Sequence, residues 1–330
     1  MEILNGKYLK GGNLFMFLSA FLIIIGFVLL IVGADVLVEG SSGIAKKFHI
    51  PEIIIGLTIV SIGTSMPELF VSITSALDGY SDMAIGNIIG SNLSNLLLIL
   101  GLSATIKPVV FQKETRLYEI PMCLLVTIIL MIFCNNNGGI SKIEAIGLLV
   151  LFCAFIGYTI YMAKRESQNE IVELKTDEKE NSILKNVIFL ALGICGLKIG
   201  GDLVVDNAVN VATYFNWSEK LISLTILAIG TSLPELVTSV TAAIKGNSDI
   251  AIGNIIGSNI FNILLIIGAS AFITPITYNF SYNFDFYILI VSSIILALFP
   301  FIPPKDKMSR FNGIVYLIIY FVYLLILFMK

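Results

Sequence analysis

Long stretches of Ile, Leu, Val and Phe, broken by short polar joints, dominate the chain. Apolar runs fall at about residues 14–38, 52–77, 82–106, 117–134, 140–163, 183–213, 219–244, 249–273, 284–302 and 311–329. Each is long enough to cross a hydrocarbon layer, which takes ~20 residues of helix. The pattern predicts an all-α integral membrane protein of ten transmembrane helices. Lys164–Ser182, reading KRESQNEIVELKTDEKENS, is the only long charged stretch, and it belongs in water.

Composition agrees with the pattern. Of 330 residues 57% are hydrophobic and 13% charged, with a mean hydropathy of +0.94, against about 25% charged in soluble domains. That excludes an ordinary globule and leaves no room for a sizeable soluble catalytic domain. The net charge of −3 offers no basic footprint for nucleic acid. Cys123, Cys134, Cys153 and Cys195 sit singly in apolar runs and read as small hydrophobes.

Orientation follows from Lys and Arg, which are retained next to spans on the cytoplasmic side. With the N-terminus outside, fourteen of the 20 basic residues fall on inside segments and five on outside segments, Lys198 lying within a span. Both termini are therefore expected outside a plasma membrane. The first run, preceded by Lys7 and Lys10, resembles a signal peptide, but its length and its counterpart in the second half argue that it is retained.

That counterpart belongs to an internal repeat. Residue n matches residue n+167 without a gap: Gly33 with Gly200, Asp35 with Asp202, Gly63 with Gly230, Ser91 with Ser258, Pro108 with Pro275. AIGNIIGSN at Ala84–Asn92 recurs identically at Ala251–Asn259, and IGTSMPEL at Ile62–Leu69 recurs as IGTSLPEL at Ile229–Leu236. We divide the chain into a first five-helix repeat (1–163), a charged cytoplasmic loop (164–182) and a second repeat (183–330). Five is odd, so the second repeat enters the bilayer inverted. Inverted repeats with broken helices form midplane substrate sites in many secondary transporters.

Polar residues gather mid-span in the two recurring segments. An ionised carboxylate at the bilayer centre costs on the order of 3 kcal/mol, so Glu68 and Glu235 ask for a compensating cation. Proline removes a backbone donor and frees an upstream carbonyl. Glycine lets the chain unwind, Thr64, Ser65, Thr231 and Ser232 offer oxygens, and each Glu follows near the N-terminus of the restarting half-helix. One helix away, Ser91 and Asn95, and Ser258 and Asn262, are four residues apart and share a face. The set is all oxygen with two carboxylates and no His or Cys, which suits hard cations such as Ca2+ and Na+. Gly86, Gly90, Gly253, Gly257, Asn87 and Asn254 read equally well as packing or helix-breaking residues and as part of the site.

At these residues the chain resembles the calcium/cation antiporter superfamily, with its paired G-T-S-x-P-E and G-S-N-x-x-N/D signatures, and most of all the prokaryotic sodium/calcium exchangers. The resemblance spans both motifs and all ten runs. It implies alternating access, Na+ exchanging for Ca2+ at a shared site in the lipid bilayer, with no cofactor and no catalysis. By position it implies Glu68 and Glu235 as ligands of both ions, oxygens from Thr64, Ser65, Ser91, Asn95, Thr231, Ser232 and Ser258, and the carbonyls of Ser61 and Ala228 at sodium sites. Asn262 departs from the pattern, since exchangers commonly carry Asp there. Two carboxylates rather than three still balance one Ca2+, while the departure bears on sodium number, proton sensitivity and any role for potassium.

The resemblance also extends to the first helix of each repeat, around Asp35 and Asp202, which are read as structural and near helix ends, with Lys198 pairing Asp202 four residues on. Trp217 reads as an interfacial anchor, and lone His49 as a turn residue. The charged loop is too short for the regulatory domain of animal exchangers. The alternative transport reading is a proton- or potassium-coupled calcium/cation exchanger, although proton-coupled relatives usually show G-N-x-x-E. A channel would place its symmetry across subunits rather than within one chain, and an enzyme would need a nucleophile with a base. Oligomeric state is not legible in the sequence.

Overall fold

The computed structural model of the chain describes residues 12–77, 81–136, 138–170, 182–215 and 228–329. Its helices are α1 (Gly12–Phe48), α2 (Glu52–Thr64), α3 (Met66–Leu77), α4 (Ala84–Ile106), α5 (Thr115–Asn136) and α6 (Lys142–Glu170). They continue as α7 (Ile183–Tyr214), α8 (Ala228–Thr231), α9 (Leu233–Lys245), α10 (Ser248–Ile273), α11 (Phe280–Phe301) and α12 (Arg310–Met329). Among the described residues eight helices are long and apolar enough to cross a membrane, and the α2–α3 pair, bent by 49°, brings the number to nine. The run expected at 219–244 falls partly outside the described residues; α8 and α9 carry the rest of it. Trp217 and most of the charged loop also lie outside.

Two helices form the centre. The most apolar stretch of α10 is 94% buried and that of α4 is 72% buried, against 17% for α1. Ile and Leu side chains of α4 and α10 meet those of α5, α11 and α12 in one continuous core. The outer helices turn apolar stripes outward: Phe17, Ile24 and Ile31 on α1, and Phe311, Ile318 and Leu325 on α12, spaced two turns apart. Such contiguous apolar surface is what lipid covers.

Glycines bring α1 and α7 together at backbone distance. A Cβ on Gly33 would lie 2.9 Å from the Leu197 nitrogen, and one on Gly200 would lie 2.7 Å from the Gly26 carbonyl oxygen. Small residues at this interface replace a hydrophobic driving force with close van der Waals packing. Beside the helices, two short antiparallel pairings clasp the halves: Val109–Val110 with Lys307–Met308, and Gly139–Ile140 with Ile276–Thr277. An Arg116–Asp306 ion pair joins the first clasp.

Candidate cation site

Each GTSxPE segment puts a single non-helical residue between two helices. Ser65, at φ −86° and ψ 9°, separates α2 from α3, and Ser232, at φ −88° and ψ 7°, separates α8 from α9. Pro67 and Pro234 follow in the first turn, where proline is tolerated. Lacking an N–H, they leave the Gly63 and Gly230 carbonyls, four residues back, without a helical donor. Glu68 and Glu235 thus fall in the first turns of α3 and α9, where the exposed backbone N–H ends favour negative charge. Both are 1% exposed.

The two breaks face each other, and each serine reaches the glutamate of the other half. Ser65 Oγ donates to Glu235 Oε1 at 2.8 Å, and Ser232 Oγ to Glu68 Oε1 at 3.4 Å. Ser91 Oγ, from α4, also donates to Glu68 Oε1 at 3.4 Å and lies 3.5 Å from Ser232 Oγ. Where α4 and α10 cross, asparagines pair reciprocally. Asn92 Nδ2 donates to the Asn259 carbonyl at 3.2 Å, and Asn259 Nδ2 to the Asn92 carbonyl at 3.4 Å. Asn95 Nδ2 donates to Asn259 Oδ1 at 3.1 Å, and Asn262 Nδ2 to Asn92 Oδ1 at 2.9 Å. These asparagine bonds, and those of Ser65 and Ser232 to glutamate, interchange in pairs under exchange of n with n+167.

What is left over is a set of oxygens. Glu68 Oε2, Glu235 Oε2, Asn95 Oδ1, Asn262 Oδ1, Thr231 Oγ1 and Ser258 Oγ are buried and have no hydrogen-bond partner among the described residues. A buried polar atom without a partner costs about 1–3 kcal/mol, more if charged. Six such atoms lie on residues singled out by the two motifs, and all-oxygen donors are what a hard cation prefers. Among the described residues no three His, Cys, Asp or Glu side chains gather.

The structure places the expected residues as follows. Glu68, Ser65, Ser91, Glu235 and Ser232 are joined by direct hydrogen bonds. Asn95 and Asn262 belong to the asparagine cluster. Thr64 is buried, and its hydroxyl donates to Asn254 Oδ1 at 3.1 Å while keeping its oxygen lone pairs. Ser61, also buried, donates from Oγ to the Thr58 carbonyl at 3.1 Å, and Ala228 begins α8. Asn87, Asn254, Gly86, Gly253 and Gly257 resolve towards packing: a Cβ on Gly257 would lie 2.7 Å from the Leu57 carbonyl oxygen, whereas one on Gly90 would meet nothing within 4 Å. Asn87 Nδ2 donates to Ser72 Oγ at 3.1 Å and Asn254 Nδ2 to Ser239 Oγ at 2.9 Å, the same pairing in each half.

Two features had no sequence expectation. Gly56–Val60 in α2, Ser94–Ile99 in α4 and Asn262–Ile267 in α10 are π-helical, a local widening common at functional sites. Asn92 and Asn259 join the cluster, although their exact recurrence was visible. Asp35 and Asp202 lie well inside α1 and α7 rather than near their ends. Asp35 pairs with Lys245 at 2.6 Å and Asp202 with Lys198 at 2.9 Å, the latter as the four-residue spacing predicts. All four cysteines are free, Cys123 and Cys134 buried and Cys153 and Cys195 exposed.

A bundle of membrane-length helices around a buried cluster of carboxylates, hydroxyls and amides defines the class: a polytopic membrane protein with an acidic, polar centre. Residues 18–161 and 185–329 match the family described as sodium/calcium exchanger protein. The inner membrane protein YrbG of Escherichia coli is 40% identical over 86% of this chain and 89% of its own length. The sodium/calcium exchanger MaX1 of Methanosarcina acetivorans is 30% identical over 93% of this chain and 97% of its own. A solved structure of the sodium-calcium exchanger NCX_Mj, soaked with zero Na+ and Ca2+, superposes with a TM-score of 0.82 at 31% identity. It covers 94% of this chain and 99% of that one. The chain belongs to the sodium/calcium exchanger family, a family of transporters within the calcium/cation antiporter superfamily.

Proposed function

We propose that this chain is a secondary antiporter that exchanges Na+ for Ca2+ by alternating access. In this reading ten spans form two inverted five-helix repeats, 1–163 and 183–330, joined by the cytoplasmic loop 164–182. The broken helices deliver the two GTSxPE and two GSNxxN motifs to one midplane site. Glu68 and Glu235 neutralise the ions, and Thr64, Ser65, Ser91, Asn95, Thr231, Ser232, Ser258 and Asn262 supply oxygens, with the carbonyls of Ser61 and Ala228. The observation that carries it is the reciprocal bonding of Ser65 to Glu235 and of Ser232 to Glu68, with the second carboxylate oxygen of each glutamate unpartnered among the described residues. That arrangement joins both halves at one anionic point.

The mechanism follows from charge and geometry. Two carboxylates balance one Ca2+ or two Na+, and a site with spare negative charge but no ion is costly in a low-dielectric interior. The protein therefore favours crossing between its two open forms with ions aboard, which couples the fluxes. In this reading α1 and α7 move together against the core, and their glycine-lined contact suits them to move as one body.

Reconstituted into Na+-loaded vesicles, the chain takes up radiolabelled Ca2+ when external Na+ is removed, and collapsing the Na+ gradient abolishes uptake. Uptake indifferent to Na+ and driven instead by a pH or K+ gradient would replace this reading with the proton- or potassium-coupled one.

A further inference from the structure

We infer that Asn92 and Asn259, which contribute no oxygen to the cation site proposed above, are positioning residues. They fix the amides of Asn262 and Asn95 with their oxygens free for the ions; this rests on the exchange reading. A side-chain amide has an acceptor end and a donor end. Asn262 commits its donor end to Asn92 Oδ1 at 2.9 Å, and Asn95 commits its donor end to Asn259 Oδ1 at 3.1 Å. With the nitrogens tied across to the opposite helix, the oxygens must point away from the tie, and both Oδ1 atoms are buried without a partner among the described residues. Asn92 and Asn259 are held in turn by each other, each Nδ2 donating to the other's backbone carbonyl at 3.2 and 3.4 Å. Their side-chain oxygens and nitrogens are thus both engaged within the clasp.

The consequence is electrostatic. Terminal amide torsions are soft and nearly two-fold. An untied Asn95 or Asn262 can turn its NH2 group toward the cation, replacing attraction with repulsion. Repulsion scales with ionic charge, so Ca2+ loses more than Na+. Clasp residues also occupy the place where the two halves cross, so the same bonds that orient the ligands register α4 against α10.

The test is Na+-driven Ca2+ uptake by the full chain in proteoliposomes, measured against Ca2+ concentration for Asn92→Leu and Asn259→Leu. Leucine keeps the volume and removes the amide; Asn92→Ala is read in its place should a leucine variant not fold. Partners that orient metal ligands are worth about 10–100-fold in affinity. We expect half-saturating Ca2+ to rise about tenfold, with a smaller change for Na+ and with the maximal rate per folded protein nearly retained. Adding Asn92→Leu to Asn262→Ala should raise it no further, because the residue being positioned is gone. Unchanged half-saturation in a parent that exchanges, or effects that multiply fully in the Asn262→Ala background, would overturn the inference. A parent whose uptake ignores Na+ overturns the exchange reading instead. The same comparison is then made by Ca2+ binding to the purified protein, so the two failures stay separate.

Discussion

Ser65 and Ser232 occupy equivalent positions, yet their bonds differ: 2.8 Å to Glu235 and 3.4 Å to Glu68. Hydrogen bonds to charged groups are worth about 1.5–3 kcal/mol and weaken with length. Ser65→Ala should therefore lower apparent Ca2+ affinity by roughly ten- to a hundredfold, and Ser232→Ala by less, both measured as half-saturating Ca2+ in uptake assays. Equal losses would mean that the difference in bond length carries no energetic weight. Most of the cluster was legible residue by residue, because an ionisable group among Ile and Leu is conspicuous in a membrane segment. Asn92 and Asn259 were not assigned, because amide pairing depends on how two helices cross, and no spacing along one helix reports that.

At the scale of elements, the glycines of α10 set how closely α2 approaches it. An alanine methyl at Gly257 would meet the Leu57 carbonyl oxygen at 2.7 Å, whereas at Gly147 in α6 the nearest atom is 4.0 Å away. Gly257→Ala should lower the unfolding temperature, overpacking costing about 1–3 kcal/mol. Gly147→Ala should be neutral or stabilising, since alanine is favoured over glycine in a helix by roughly 1 kcal/mol. Thermal unfolding in detergent checks both; similar values would mean that the α2–α10 contact yields easily. Helix limits were well read where polar joints are sharp: the run at 183–213 is Ile183–Tyr214, and that at 249–273 is Ser248–Ile273. The run at 14–38 was read short, because Glu39, Ser41, Ser42 and Lys46 end the apolar pattern while α1 continues to Phe48. Those added turns remain helical by packing along α7. The π-helical segments left no trace in composition, since one extra residue in a turn changes no side-chain chemistry.

For the whole molecule, the repeat is what makes the architecture readable from one sequence. Asn92 and Asn259, 167 residues apart and equivalent in the sequence repeat, touch each other. From the distribution of Lys and Arg we expect the loop 164–182 inside and the termini outside. In right-side-out vesicles, a protease should remove an N-terminal tag, while the thiol of a Ser167→Cys variant should resist a membrane-impermeant reagent. The reverse pattern would invert the assignment. The central claim, that Glu68 and Glu235 hold one site for which Na+ and Ca2+ compete, is tested most directly by equilibrium Ca2+ binding to the purified protein. Wild-type protein should bind Ca2+ and release it as Na+ is added, and the Glu68→Gln, Glu235→Gln variant, with its helical circular dichroism unchanged, should bind none. Undiminished Ca2+ binding by that folded variant would contradict it.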